Sequence, residues 1–576
     1  MILNKVTKIH QTKRGDTPFG PEMTDYDVWK LFSVAEIAAI DRNKFPANNS
    51  LEDILKNDTR IRRYKPGEII VREGDYGNSA FFVLNGKLRV VLSSGLPNYL
   101  SRQKRTSKKS LWKSLSQLLT NRKISEVRDI HRYSDPTILQ KGQGNDPTPI
   151  FLQDFSTVLN SGNTALLEKG ALFGELAAMG RIPSTATVFS ESHAELLEIR
   201  WQGLRELKKY DNNWRRMIEK RYSQNGLVSF LKKTPLFKHL QEEALQEIAA
   251  NTVFKSYGTY DWAVPYKSIR GMGKNGIKRE PVIIRQGDYP DDLLIVRAGF
   301  ARVSMHQADG DQTITYLGAG HAYGADELFH AWEGERNVAF KASVTALGYV
   351  DILQVPAFYL EKYVFPQQKF RHSLPKGKEV TLQPERESTI LFNRSMADET
   401  LLEWAVQERF INGTKAMLIN LDRCVRCDDC VNACATAHDG NPRFIRHGKT
   451  FGSWMVANAC MQCMDPVCMI GCPTGAITRD VADGTVVIND DTCIGCETCA
   501  NSCPYSNIQM VEINDQKGNP VLDLETHKPI LKATKCDLCI DHLGGPACVR
   551  ACSQDALHRV DFHHVRPKGA VDGSVI

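Results

Sequence analysis

Sixteen cysteines, all between Cys424 and Cys552, constrain this 576-residue chain more than any other feature. No cysteine precedes Cys424. They fall into four quartets: Cys424, Cys427, Cys430 and Cys434; Cys460, Cys463, Cys468 and Cys472; Cys493, Cys496, Cys499 and Cys503; Cys536, Cys539, Cys548 and Cys552. The first and third are spaced C-x2-C-x2-C-x3-C. The second and fourth keep that order around the inserts MDPV and IDHLGGPA. Disulfide scaffolds belong to short exported chains. Here the N-terminal MILNKVTKIHQTKRG has neither an apolar core nor a twin arginine, so no secretory signal is read. Thiols confined to one segment point instead to metal ligation in a reducing compartment, and a cytoplasmic chain is expected.

The spacing has a geometric reason. Three thiolates at short intervals come from one loop wrapped around one face of a cubane. The fourth, a helical turn later, faces away and ligates the other cluster of a pair, as in the bacterial ferredoxin run. Pro473 and Pro504, directly after Cys472 and Cys503, help fix that exit. Structural zinc is the competing reading, because C-x2-C pairs also build zinc ribbons. Zinc sites, however, use two pairs rather than four quartets. Sixteen thiolates at four per cubane give four [4Fe–4S] clusters.

The stretches GCPTGAITRD and GTVVINDDTCIGCETCANSCPY, within about 413–560, resemble the polyferredoxin electron-transfer subunits of the dimethyl-sulfoxide reductase and formate dehydrogenase family. That resemblance implies a nested pairing of quartets. One cluster would take Cys424, Cys427, Cys430 and Cys552, and another Cys536, Cys539, Cys548 and Cys434. A third would take Cys460, Cys463, Cys468 and Cys503, and the last Cys493, Cys496, Cys499 and Cys472. Relatives that lose a cysteine hold a three-iron cluster, whereas this chain keeps all sixteen. The resemblance also implies one-electron transfer between two partners. One is a catalytic oxidoreductase subunit of molybdopterin, hydrogenase or flavoprotein type, and the other a second redox protein.

The N-terminal two-thirds contains an internal repeat. REGDYGNSAFFVLNGKLRV, from Arg72, and RQGDYPDDLLIVRAGFARV, from Arg285, align without gaps. Asn85-Gly86 between apolar runs is a hairpin signal. Both copies resemble the cyclic nucleotide-binding domain, a β-roll with flanking helices, over about 55–210 and 236–360. The expected class is therefore α+β and multidomain, with two β-rolls followed by a ferredoxin-like domain. The expected order is a helical segment at 1–54, a first roll at 55–222, a second at 223–365, a linker at 366–412 and the cysteine domain at 413–576.

In that family a helix start and a glutamate hold the ribose and cyclic phosphate, and an arginine neutralises the phosphate. The first copy keeps Phe173, Gly174, Glu175 and Leu176, but Ser184 stands in the arginine position, before Thr185. In the second copy that position falls near Phe340. Losing a charge-assisted contact to a buried anion costs roughly 1.5–3 kcal/mol. A cyclic nucleotide is thus doubtful, and the rolls are read as docking or scaffold modules. The alternative is a sensor, in which the first roll binds a cyclic nucleotide or the clusters respond to oxidation, controlling electron flow or a partner.

The first copy is interrupted at about 93–165. Within that insertion 101–123 carries eight Lys and Arg and no acid, with Leu111, Leu115, Leu118 and Leu119 at helical spacing. Such a segment is a solvated, partly disordered surface insertion with one short helix packed on its own roll, or docks a partner, or lies peripherally on an anionic membrane. The linker ends in MADETLLEWAVQERF, which reads as a helix packed between modules. The net charge of +6 is too small for a polyelectrolyte binder. No recognition-helix module follows either roll, so nucleic acid is not expected as a partner. No apolar run reaches membrane-spanning length.

Overall fold

The computed structural model describes residues 7–11, 19–20, 23–47, 49–91, 125–128, 151–152, 164–180, 183–184, 186–221, 227–258, 266–267, 280–307, 310–366, 399–438, 440–480, 484–542 and 544–562. The basic stretch 101–123 and Thr185 lie outside them, as does the side chain of Leu176.

Residues 79–83 of the first roll read SAFFV, apolar without alternation, because the strand Ser79–Asn85 is covered on both faces. Ala80 and Phe82 point toward the helices Leu51–Asp58 and Trp201–Tyr210, packing with Leu51, Ile54 and Leu204. Phe81 and Val83 point into the roll, with Leu88, Phe173 and Leu196. Two four-stranded sheets result. The order is Thr59–Tyr64, Ala194–Arg200, Ser79–Asn85, Leu172–Phe173 in one. In the other it is Ile69–Val71, Thr187–Ser190, Leu88–Val91, Thr164–Leu167. The Asn85-Gly86 signal forms the expected turn, with Gly86 at φ +98° and its N–H donating to Asn85 Oδ1 at 2.9 Å.

The second roll repeats this topology on longer strands. Asp292–Gln307 spans what the first roll divides between Ser79–Asn85 and Leu88–Val91. Its pairing with Ser343–Pro356 shifts register near Val296–Ala301, where the first roll has its turn. Gly299 sits at that shift with φ +82°, and a Cβ there would lie 2.0 Å from the Tyr349 carbonyl oxygen.

The cysteine-rich domain is built on a four-stranded sheet, Phe444–Phe451, Trp454–Ala459, Ala416–Asn420, Leu557–Val560. Two hairpin-like pairs join it: Ile477–Arg479 with Val486–Ile488, and Gln509–Glu512 with Leu531–Thr534. Among the described residues no helix is long and apolar enough to cross a membrane.

The remaining modules pack on this domain. The strand Lys8–Ile9 pairs in parallel with Leu522–Asp523. The helix Glu399–Gln407, legible in the sequence, buries Leu401, Leu402, Ala405 and Val406. Its Glu403 accepts from Arg302 of the second roll at 3.1 Å. Arg409 pairs with Glu280 of the same roll, and Tyr316 Oη donates to the Phe562 carbonyl at 3.3 Å. From within the insertion, buried Glu126 accepts from Asn441 at 2.5 Å and from Arg443 at 2.8 Å. The insertion is thus anchored at 125–128 on its own chain.

The first roll is attached through Arg200, which a buried ion pair within the roll holds in place. Arg200 Nε lies 2.7 Å from Asp58 Oδ1, with Asp58 wholly buried, and Arg200 Nη1 donates to the Thr474 carbonyl at 2.5 Å. Removing one member of a buried pair leaves the other charge stranded. Arg200→Met is expected to cost about 3–5 kcal/mol, read as an earlier urea transition by the fluorescence of Trp201 and Trp214. The double variant Arg200→Met/Asp58→Leu is expected to recover part of it.

Candidate metal centres

The first and third quartets are entered in the same way. Asn420 and Asn489 each stand four residues before the first cysteine. Each side-chain oxygen accepts the N–H two residues on, from Asp422 and Asp491, at 3.0 Å. Each carbonyl then accepts the cysteine N–H, Cys424 at 3.0 Å and Cys493 at 3.1 Å. This Asx turn aims the loop. The loop next curls through left-handed residues, Arg426 and Asp428 in one case, Gly495 and Glu497 in the other. Asp428 and Glu497 then cap the helices that carry the third cysteine in their first turn. The repeated asparagine was available in the sequence and was missed.

Three cavities are lined by four cysteines each. Cys424, Cys427 and Cys430 meet Cys552 around about 370 Å³. Cys460, Cys463 and Cys468 meet Cys503 around about 390 Å³. Cys493, Cys496 and Cys499 meet Cys472 around about 320 Å³. The remaining four, Cys434, Cys536, Cys539 and Cys548, sit close enough that charge on the other three acts on Cys434. Each set joins three cysteines of one quartet to the last cysteine of another.

Backbone N–H groups point at the sulfurs that close these sets: Arg443 to Cys434 at 3.2 Å, Asn507 to Cys503 at 3.4 Å, Ala556 to Cys552 at 3.2 Å. The Arg559 side chain donates to Cys536 at 3.2 Å. Burial pushes the thiols up, Cys430 to about 11, Cys499 and Cys539 to about 12. A thiolate in so apolar a place needs a bound cation to offset its charge. Such a donor set suits a metal group better than free thiols.

Cations are placed among the sets. Lys532 donates to the Cys493 carbonyl at 2.6 Å. Arg479 donates to the carbonyls of Cys463 and Met464 at 2.7 and 2.5 Å, and its guanidinium lies over the Tyr76 ring of the first roll. Lys535 is enclosed between two sets. Burial alone would lower its pKa, but the charges of Cys460, Cys468 and Cys536 outweigh that and raise it. His438 is buried, with Nε2 3.5 Å from both Cys539 Sγ and Asp537 Oδ1, so it packs beside that set rather than at the surface.

In the first roll Gly174 is left-handed, and Glu175 and Ser184 are buried. Ser184 N–H donates to the Asp75 carbonyl and its carbonyl accepts from Gly74, both at 2.8 Å. In the second roll Phe340 makes the same two bonds with Asp288 and Gly287, at 2.9 and 2.8 Å. Ser184 and Phe340 are therefore structural equivalents. The Phe340 ring stacks on Tyr323 and reaches 3.1 Å from a Cβ built on Gly324. Nearby Asp326 is raised to about 6 by burial and by the Glu327 charge. An aromatic ring with two acids close by is a poor receptor for a phosphate.

A 4Fe-4S dicluster domain model matches residues 452–561, and a cyclic nucleotide-binding domain model matches 276–365. The electron transport protein HydN of Escherichia coli K12 is 34% identical over 158 residues, covering 25% of this chain and 87% of that protein. The chain belongs to the family of iron–sulfur electron-transport proteins. Formate hydrogenlyase subunit 2 of the same strain is 32% identical over 163 residues, covering 24% of this chain and 77% of that subunit. Among solved structures, the regulatory domain of Toxoplasma gondii PKA with cAMP is 14% identical, with a TM-score of 0.21, covering 61% of this chain and 98% of that one. Within this electron-transport family member only Cys427 and Cys496 are exposed among the sixteen cysteines. In iron-free protein these two are expected to react with iodoacetamide before the rest. Peptide mapping of a time course checks this.

Proposed function

We propose that each of the four sets holds one [4Fe–4S] cluster, and that the chain carries single electrons between a catalytic oxidoreductase or hydrogenase subunit and a second redox partner. The ligand sets are Cys424, Cys427, Cys430 and Cys552; Cys434, Cys536, Cys539 and Cys548; Cys460, Cys463, Cys468 and Cys503; Cys472, Cys493, Cys496 and Cys499. Bound clusters would supply reversible one-electron chemistry. The protein's own residues position them, exclude water and set the charge around them.

The carrying observation is the distribution of exposure. The exposed cysteines are one each from the first and last of these sets, and all four of the Cys434 set are buried. The helix Asp429–Ala437 packs on Ala547–Ala551, joining the first two sets. Val467–Ile470 packs on Thr498–Ser502, joining the last two. A carrier needs two outer ends that partners can approach and an interior that water cannot. Around Cys427, Val425, Leu421 and Ile445 are also exposed, an apolar rim suited to a protein partner.

The β-rolls act as scaffold modules seated against the clusters' loops. The Ser184 and Phe340 substitutions support a role without nucleotide. Calorimetry with cyclic AMP and cyclic GMP is expected to show no saturable binding. Micromolar binding abolished by Glu175→Ala would make the first roll a sensor instead.

Anaerobically loaded protein is expected to contain about 16 Fe per chain, four per cubane, and to accept electrons in four one-electron steps by EPR. Zinc in place of iron, or iron that cannot be reduced, would overturn the electron-transfer reading.

A further inference from the structure

The four sets form two halves, and electrons that traverse the domain must cross between them. One half contains the Cys424 and Cys434 sets, the other the Cys460 and Cys472 sets. The crossing lies where Cys536 meets the loop Cys460–Cys463.

Gln462 stands in that loop between two cysteines of its set. It is buried and left-handed, φ +53°, a conformation that disfavours any residue with a side chain. Such backbone strain persists where the surroundings over-determine it. Both ends of its amide are used: Nε2 donates to the Cys536 carbonyl at 3.0 Å, and Oε1 accepts from Val486 N–H at 2.8 Å. Lys535 Nζ reaches the same two residues, donating to the Cys536 carbonyl at 3.2 Å and to the Val486 carbonyl. Thus a single carbonyl of the Cys434 set is bound both by an amide from the Cys460–Cys463 loop and by the ammonium group of the neighbouring Lys535.

We propose that Gln462 and Lys535 form the passage between the two halves, with Lys535 as the positioning charge that favours the reduced state of both inner clusters. The proposal rests on the four-cluster reading above. Adding an electron makes a cluster more negative, so a fixed cation nearby in a low-dielectric interior raises its potential. Lys535 Nζ donates to the Cys536 carbonyl of one inner set and to the carbonyl of Val486, which lines the cavity of the Cys460 set. The lysine therefore serves both inner sets. One electron crosses here with no bond made or broken and no proton moved. Gln462 joins the Cys536 carbonyl, through one hydrogen bond and its own side chain, to the backbone beside Cys463.

The test uses the full chain loaded anaerobically, with iron content and an EPR-monitored redox titration as readouts. Lys535→Gln is expected to keep its iron and to move two of the four midpoints to more negative values, leaving the other two in place. Lys535→Arg is expected to restore them. Gln462→Glu keeps the lysine but sets an opposite charge beside it, and is expected to lower the same two midpoints. Should Lys535→Gln lose iron, Gln462→Glu decides alone. Four unmoved midpoints, a uniform shift of all four, or iron loss in both variants overturns the proposal while leaving the electron-transfer reading standing. Wild-type protein without reducible iron defeats that reading, and this proposal with it.

Discussion

Negative charge on sulfur, held away from water, is the condition on which the rest of this molecule depends. An isolated thiolate in a protein interior is too costly to keep. The sets answer that cost by similar means: N–H groups directed at sulfur, cations near ligand loops, and, around three of the sets, a cavity lined by the four cysteines. Arg559 meets Cys536 directly, Lys532 meets the Cys493 carbonyl, and Arg479 meets the Cys463 carbonyl. These are contacts of different elements converging on one electrostatic need.

The same need explains how the modules are arranged. Among the described residues, the N-terminal segment, both rolls and the insertion each place a contact beside a ligand loop. Arg200 of the first roll meets Pro473 and Thr474, next to Cys472. Glu126 of the insertion holds Arg443, whose N–H donates to Cys434. Gln11 donates to the Ile494 carbonyl, between Cys493 and Cys496, and Lys267 reaches the Asn501 carbonyl, near Cys503. A small domain with many buried polar loops has little hydrophobic core of its own. The rolls supply outer walls, and the largest apolar cluster runs without break from Phe82 and Trp214 to Ile470 and Ile477.

The cysteine spacing and the repeat were legible because both are local. Ligands three residues apart can come only from one curled loop, and a turn such as Asn85-Gly86 states its own geometry. What the sequence did not disclose was non-local. Glu126 sits in a basic insertion that reads as a surface loop, yet its carboxylate is buried against residues more than three hundred positions away. Lys535 looks like an ordinary charge before a cysteine, and only the fold encloses it. Gln462 was hidden for another reason. Between two cysteines any residue reads as spacer, and a strained backbone is invisible without coordinates.

The two rolls show what a fold retains when its pocket chemistry changes. Ser184 and Phe340 occupy one position, fixed in both copies by the same pair of backbone bonds to a Gly-Asp turn. Those bonds need no particular side chain, so the frame survives any substitution there. The pocket does not. In the second copy a ring fills the space and acids lie nearby. In the first, a seryl hydroxyl stands at Ser184 where the family resemblance expects a guanidinium. On the other face of the first roll, the turn that holds Ser184 carries Tyr76, whose ring packs against Gly484 and under Arg479. The face of the repeat that meets the iron–sulfur domain is therefore built from the same turn that fixes Ser184.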